Sequence, residues 1–117
     1  MGKVLVIDSD SYTRAQLRTV LEEGGHEVDE ASNGRSGLAK VSSSPVDLVT
    51  TCMVMPEMDG LECTRRMRAV LAEQQQQRGA PPRHLPISGL TAYTWQDVHA
   101  ACIDAGMDAI ATKPLHC

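Results

Sequence analysis

The chain begins with an unbroken apolar run, Val4-Leu5-Val6-Ile7, that stops at the polar tetrad Asp8-Ser9-Asp10-Ser11. A short β-branched run with a polar end predicts a strand buried on both faces, delivering acidic and hydroxyl groups to its C-terminal end. Leu17, Val20 and Leu21 then recur at helical spacing. Asp10 or Ser11 can cap that helix, and Gly24-Gly25 can end it. Residues 28–31 predict a second strand, after which Asn33-Gly34 turns the chain into a helix around Leu38 and Val41.

Residues 46–51 form another β-branched run, this time ending at Cys52, and a loop with Pro56 and Gly60 follows. Leu61, Thr64, Met67, Val70 and Leu71 trace one face of a third helix, with Arg65, Arg66 and Arg68 outside that face. Residues 73–84, holding four consecutive Gln and two Pro, break the periodicity and predict a solvated loop. Residues 87–91 predict a fourth strand, residues 95–105 a helix closed by Gly106, and residues 109–112 a fifth strand running into Lys113-Pro114. Strand followed by helix throughout predicts an α/β fold, a doubly wound five-stranded parallel sheet with helices on both faces. Ligand chemistry in such sheets gathers at the C-terminal strand ends, where Asp8, Cys52, Thr91 and Lys113 all fall.

At 117 residues there is room for one domain spanning residues 1–117, whether free-standing or a piece of a longer chain. With 42% apolar and 22% charged residues the chain is an ordinary globular protein. A net charge of −4 supplies no basic field for a phosphate backbone, so nucleic acid is not an expected partner. No apolar stretch is long enough to span a membrane, and the start reaches charge too early for a secretory signal. The expected compartment is the cytoplasm, with no membrane contact by this domain. Cys52, Cys63, Cys102 and Cys117 lack C-x-x-C spacing and are expected as reduced thiols. Cys63 and Cys102 fall within helices, where a free cysteine packs as a small hydrophobe.

Several enzyme classes are excluded by spacing. A phosphatase loop needs an Arg six residues beyond its Cys, but Met58 and Ala69 stand six beyond Cys52 and Cys63. His26-Glu27 lacks the second histidine of a zinc-protease helix, and neither phosphate-binding glycine motif occurs. The acidic loop Asp8-Ser9-Asp10-Ser11 is poorly suited to a flavin phosphate. Met53, Met55 and Met58 are expected to fill space in the loop after the third strand rather than to bind a soft metal.

Five segments in order, VLVIDSD, ASNG, VDLVTTCMVMPEMDG, GLTAY and AGMDAIATKP, resemble the receiver domain of two-component response regulators and hybrid histidine kinases. Asp8 and Cys52 lie 44 positions apart, and Thr91 and Lys113 lie 22 apart, both usual for such domains. The resemblance implies a CheY-like, flavodoxin-like fold and a signalling domain of a phosphorelay that is no enzyme in its own right. In that family two acidic residues after the first strand and an Asp after the third hold Mg²⁺. The third-strand Asp accepts a phosphoryl group from a histidine kinase, and a hydroxyl and a lysine sense it.

The resemblance carries over unevenly. Asp8 takes the first acidic position, Ser9 the second, and Cys52 stands where the phosphoaccepting Asp would be. Asp10 is near enough in sequence to contribute to an acidic pocket, in which Asp8 is the residual metal ligand. A thiol titrating near about 8.5 is mostly neutral at pH 7 and does not replace a carboxylate. Mg²⁺ binding is therefore expected to be weak or absent, with no other cofactor. Thr91 and Lys113 match the phosphate-sensing pair, while Ile110 fills the switch position, where the family commonly has Tyr or Phe. The expectation is a degenerate receiver working by protein–protein contact without ordinary phosphorylation. The alternative is a thiol-based redox sensor centred on Cys52, activated by Lys113.

The partner is expected to be a histidine kinase, another domain of the same parent protein, or a second copy. Tyr93 and Trp95 lie at the start of the fourth helix, a surface receivers use for partners. In receivers a fifth helix follows the Lys-Pro pair, and here only Leu115-His116-Cys117 come after it. Without that helix, Val4, Val6 and residues 109–111 are expected to be partly uncovered, which would favour self-association.

Overall fold

The computed structural model describes residues 2–43, 46–52, 58–78, 85–91, 101 and 103–112. Five strands form one parallel sheet: β1 (Lys3–Ile7), β2 (Glu27–Ala31), β3 (Leu48–Cys52), β4 (Ile87–Thr91) and β5 (Ala109–Thr112), in the order β2-β1-β3-β4-β5. Between them run α1 (Ser11–Glu23), α2 (Gly34–Ser43) and α3 (Gly60–Arg78), and residues 101 and 103–105 are helical ahead of β5. This is the doubly wound architecture expected from the strand–helix alternation.

The central strand explains why the opening run is unbroken. Leu5 and Ile7 point into a core shared with Val49, Cys63, Met67, Ile87 and Met107, whereas Val4 and Val6 point to the other face, with Leu17 and Val28. Val4 and Val6 are 1% and 0% exposed, so the expectation that they would be left partly uncovered is wrong. Leu17 and Leu21 of α1 and Leu48 of β3 pack with them in a second core. The side chains of residues 109–111, named with them, lie outside what the structure describes.

Local signals set the helix ends. Asp10 is the N-cap of α1, its carboxylate accepting from Tyr12 N at 3.2 Å and Thr13 Oγ1 at 2.7 Å. At the other end Gly25, at φ 87°, lets Gly25 N and His26 N donate back to Glu22 O and Leu21 O, closing a Schellman motif. Asn33 Oδ1 accepts from Ser36 N and starts α2. At Gly37 α2 lies tight against β1, because a Cβ there would lie 2.4 Å from Ile7 Cδ1.

Two sequence expectations for α3 are corrected. The helix continues through the glutamines to Arg78, whereas residues 73–84 were expected as loop; Gln has helix propensity close to that of Leu, so polarity alone does not end a helix. Arg68 is not on the solvated face with the exposed Arg65 and Arg66, but half-buried and bonded to the turn before β5.

β2 is an edge strand, and its Glu30 and Asp29 are paired with α1 and α2 respectively. Glu30 receives Arg14 Nε at 3.1 Å and Arg18 Nη1 from α1, while Asp29 Oδ1 receives Lys40 Nζ at 2.8 Å from α2. Hydrogen bonds from Arg18 and Lys40 respectively hold the Glu30 and Asp29 carboxyls below their ordinary values. These pairs fasten the edge strand to the helices on either face.

Candidate functional site

The register of the sheet assembles the site. Ile7 pairs with Thr51, and Cys52 pairs with Leu90. Asp8, Cys52 and Thr91 therefore leave three neighbouring strands at the same C-terminal edge. Thr91 pairs with Thr112, which brings β5 to that edge immediately before Lys113. The strands thus gather the backbones of the predicted positions; Lys113 itself lies outside the described residues, as do Tyr93, Trp95, Cys102, Cys117, Met53 and Met55.

Asp8 is 1% exposed although it follows a strand end. Its backbone N donates to Ala31 O at 3.0 Å, continuing the β1–β2 ladder by one residue, and its Oδ1 accepts from Asp10 N at 2.9 Å. Asp8 thus shapes the turn, while of the two capping candidates, Asp10 and Ser11, Asp10 takes the role. Ser9 is exposed between them. Arg14, one turn into α1, adds a brace that sequence reasoning missed: its Nη1 donates to Asp8 O while its Nε is held by Glu30. The clue was the Arg four residues after the capping Asp, but only the β1–β2 pairing brings Glu30 beside it.

Cys52 is 7% exposed at the end of β3 and belongs to the core shared with α2 and α3. Met58 packs in the same core against Gly34, as expected for a space-filling loop residue. Cys63 is fully buried, its Sγ 3.6 Å from Gly34 O, and burial pushes its thiol up to about 11. It packs as a small hydrophobe, as read from the sequence. Ile110 pairs with Gly89 within the sheet, two residues before Thr112.

Chemically, this edge presents a buried carboxylate, an alcohol and a thiol. A hard divalent cation prefers several anionic oxygens, and Asp10, the other carboxylate of this turn, is engaged by the start of α1. Among the described residues no group of three His, Cys, Asp or Glu is placed to hold a metal. No described helix is long and apolar enough to cross a membrane.

Comparison with known proteins places this geometry. A sequence model of the response regulator receiver domain matches residues 4–117. The chain is 32% identical over 118 residues to hybrid signal transduction histidine kinase L of Dictyostelium discoideum, covering 98% of this chain and 7% of that protein. It is 37% identical over 112 residues to the sensor protein EvgS of Escherichia coli K12, covering 96% of this chain and 8% of EvgS. The chain therefore spans a small fraction of the length of these curated relatives. Among solved structures, chemotaxis protein CheY4 of Vibrio cholerae superposes with a TM-score of 0.84 at 28% identity, over 99% of this chain and 89% of that one. The receiver domain of a signal transduction histidine kinase from Syntrophus aciditrophicus superposes with a TM-score of 0.77 at 27% identity, over 99% and 81%.

Proposed function

We propose, because the chain belongs to the response regulator receiver domain family, that it is a receiver that signals through protein contacts without the usual aspartyl phosphorylation. Receiver domains serve two-component and phosphorelay signalling, and those of hybrid kinases work with signalling domains elsewhere in the same protein or in others. The finer reading concerns this chain's own site. It rests on one observation: Cys52 ends β3 beside the buried Asp8, at the position where the family's acceptor carboxylate would lie.

A phosphoryl group on an Asp is carried as an acyl phosphate, and a thiol offers no carboxylate for that bond. Ser9 removes a second charge from the same edge. With a donor set unsuited to Mg²⁺, neither the electrostatic neutralisation nor the orientation of an incoming phosphoryl group is provided. Thr91 and Lys113 then remain as a sensing pair without its usual input, and Ile110 has no phenol with which to report one. The burial of Cys52 supports a packing role over a redox-sensing thiol, since sensor cysteines are solvent-accessible. In this reading the domain is not an enzyme, works in the cytoplasm, and engages a histidine kinase, another domain of its parent protein or a second copy.

Calorimetric titration with Mg²⁺ tests the site assignment. The unmodified chain should show little or no binding, Cys52→Asp should gain weak binding, and adding Ser9→Asp should strengthen it further. The two changes should be non-additive because they share one ligand sphere. Equal affinity in the single and double variants would overturn the placement of Ser9 at the second acidic position.

A further inference from the structure

We propose that Arg68 is a latch holding the β4–β5 end of the sheet to α3, so that its release lets this end open on its own. From α3 the guanidinium reaches two separate segments of the chain. Nη1 donates to Leu85 O at 2.6 Å, just ahead of β4. Nε and Nη2 donate to Gly106 O at 3.0 and 2.7 Å, in the turn before β5, and Nη2 also meets Asp108 Oδ2 at 2.8 Å. That same carboxylate oxygen accepts from Ile87 N at 2.8 Å, and Asp108 N donates to Ile87 O at 2.8 Å. One planar fork thus fixes the starts of both strands, which a lysine, as a point charge, cannot reproduce.

The turn is shaped around this side chain. Gly106 has φ +108°, and a Cβ there would lie 3.0 Å from Arg68 Cγ, so both backbone conformation and space call for glycine. β5 is the edge strand at the end opposite β2, and among the described strands it pairs only with β4. β1 and β2, by contrast, are tied by their own ladder and by the Arg14, Arg18 and Lys40 pairs. Arg68 lies at the N-terminal ends of β4 and β5, opposite the Asp8–Cys52 edge, so the latch is independent of the chemistry proposed there. Proteins open in contiguous units whose stability is set by local bonds, and the geometry joins residues 85–91 and 106–112 into such a unit.

Native-state hydrogen exchange on the full chain tests this. In Arg68→Met the β5 amides of residues 110–112 should exchange at least tenfold faster, while those of Val4–Ile7 change by less than a factor of two or three. Arg66→Met, which removes an exposed arginine of the same helix, should leave both unchanged. If Arg68→Met does not fold, Asp108→Asn gives a milder release with the same regional pattern. Uniform acceleration across β1 and β5, or no acceleration at β5, would overturn the proposal.

Discussion

Asp8 and Cys52 each stand one residue beyond the Ile7–Thr51 pair, so a buried carboxylate and a buried thiol leave adjacent parallel strands side by side. The parallel register fixes this neighbourhood whatever residues occupy it. A one-residue slip would send every side chain of β3 to the opposite face, taking the fully buried Val49 out of the core it shares with Leu5, Ile7 and Ile87. The frame of a receiver site is thus specified by the core, separately from the residues that would carry its chemistry.

The contact between α2 and β1 leaves no room for a side chain at Gly37. Replacing it by Ala would gain up to about 1 kcal/mol of helix propensity. It would also force a Cβ to 2.4 Å from Ile7 Cδ1 and 2.7 Å from Cγ1 in a fully buried side chain, so the core must shift to admit it. Overpacking of this kind costs about 1–3 kcal/mol, so the clash wins. Gly37→Ala should lower the urea midpoint at unchanged m-value; an equal or higher midpoint would show that α2 shifts freely on the sheet.

Ion pairing lowers the Glu30 carboxyl, and the sign of the pH effect follows. A group whose folded value is depressed contributes stability that is complete above its unfolded value, near about 4.3, and is lost as the pH falls through the folded value. The pairs are partly solvated, so the contribution is modest. Glu30→Gln should cost about 0.5–1 kcal/mol at pH 7 and progressively less below pH 4, as the native carboxyl becomes protonated. Denaturation curves at pH 7 and pH 3 check this; a difference that persists undiminished at pH 3 would contradict it.

Cys63 should be chemically silent in the folded state. With its thiol pushed up to about 11 and no exposed surface, only about one molecule in a thousand carries the thiolate at pH 8. Iodoacetamide followed by peptide mapping should find Cys63 unmodified until denaturant is added. Rapid native labelling would mean that the α2–α3 interface opens readily.

Most of the architecture was legible because apolar runs and helical periodicity report burial directly. β4 and β5 fall at residues 87–91 and 109–112 as read, and Asp10 and Gly24-Gly25 mark the ends of α1. The α3 glutamines misled because a polar run hides helix propensity. Arg68 misled because its partners, Leu85, Gly106 and Asp108, are distant in sequence and meet only through the sheet order. Arg14 was hidden for the same reason. At the site, the strand ends that bring Asp8, Cys52 and Thr91 to one edge were legible, whereas the division of labour between Asp8 and Asp10 depends on a turn geometry that no periodicity encodes.

The central claim, that this receiver's edge has lost acceptor chemistry, is tested most directly by intact-mass measurement after incubation with a small acyl phosphate and Mg²⁺. The unmodified chain should keep its mass, while Ser9→Asp combined with Cys52→Asp should gain one phosphoryl group. A Mg²⁺-dependent gain of one phosphoryl group by the unmodified chain, abolished by Asp8→Asn, would contradict the account.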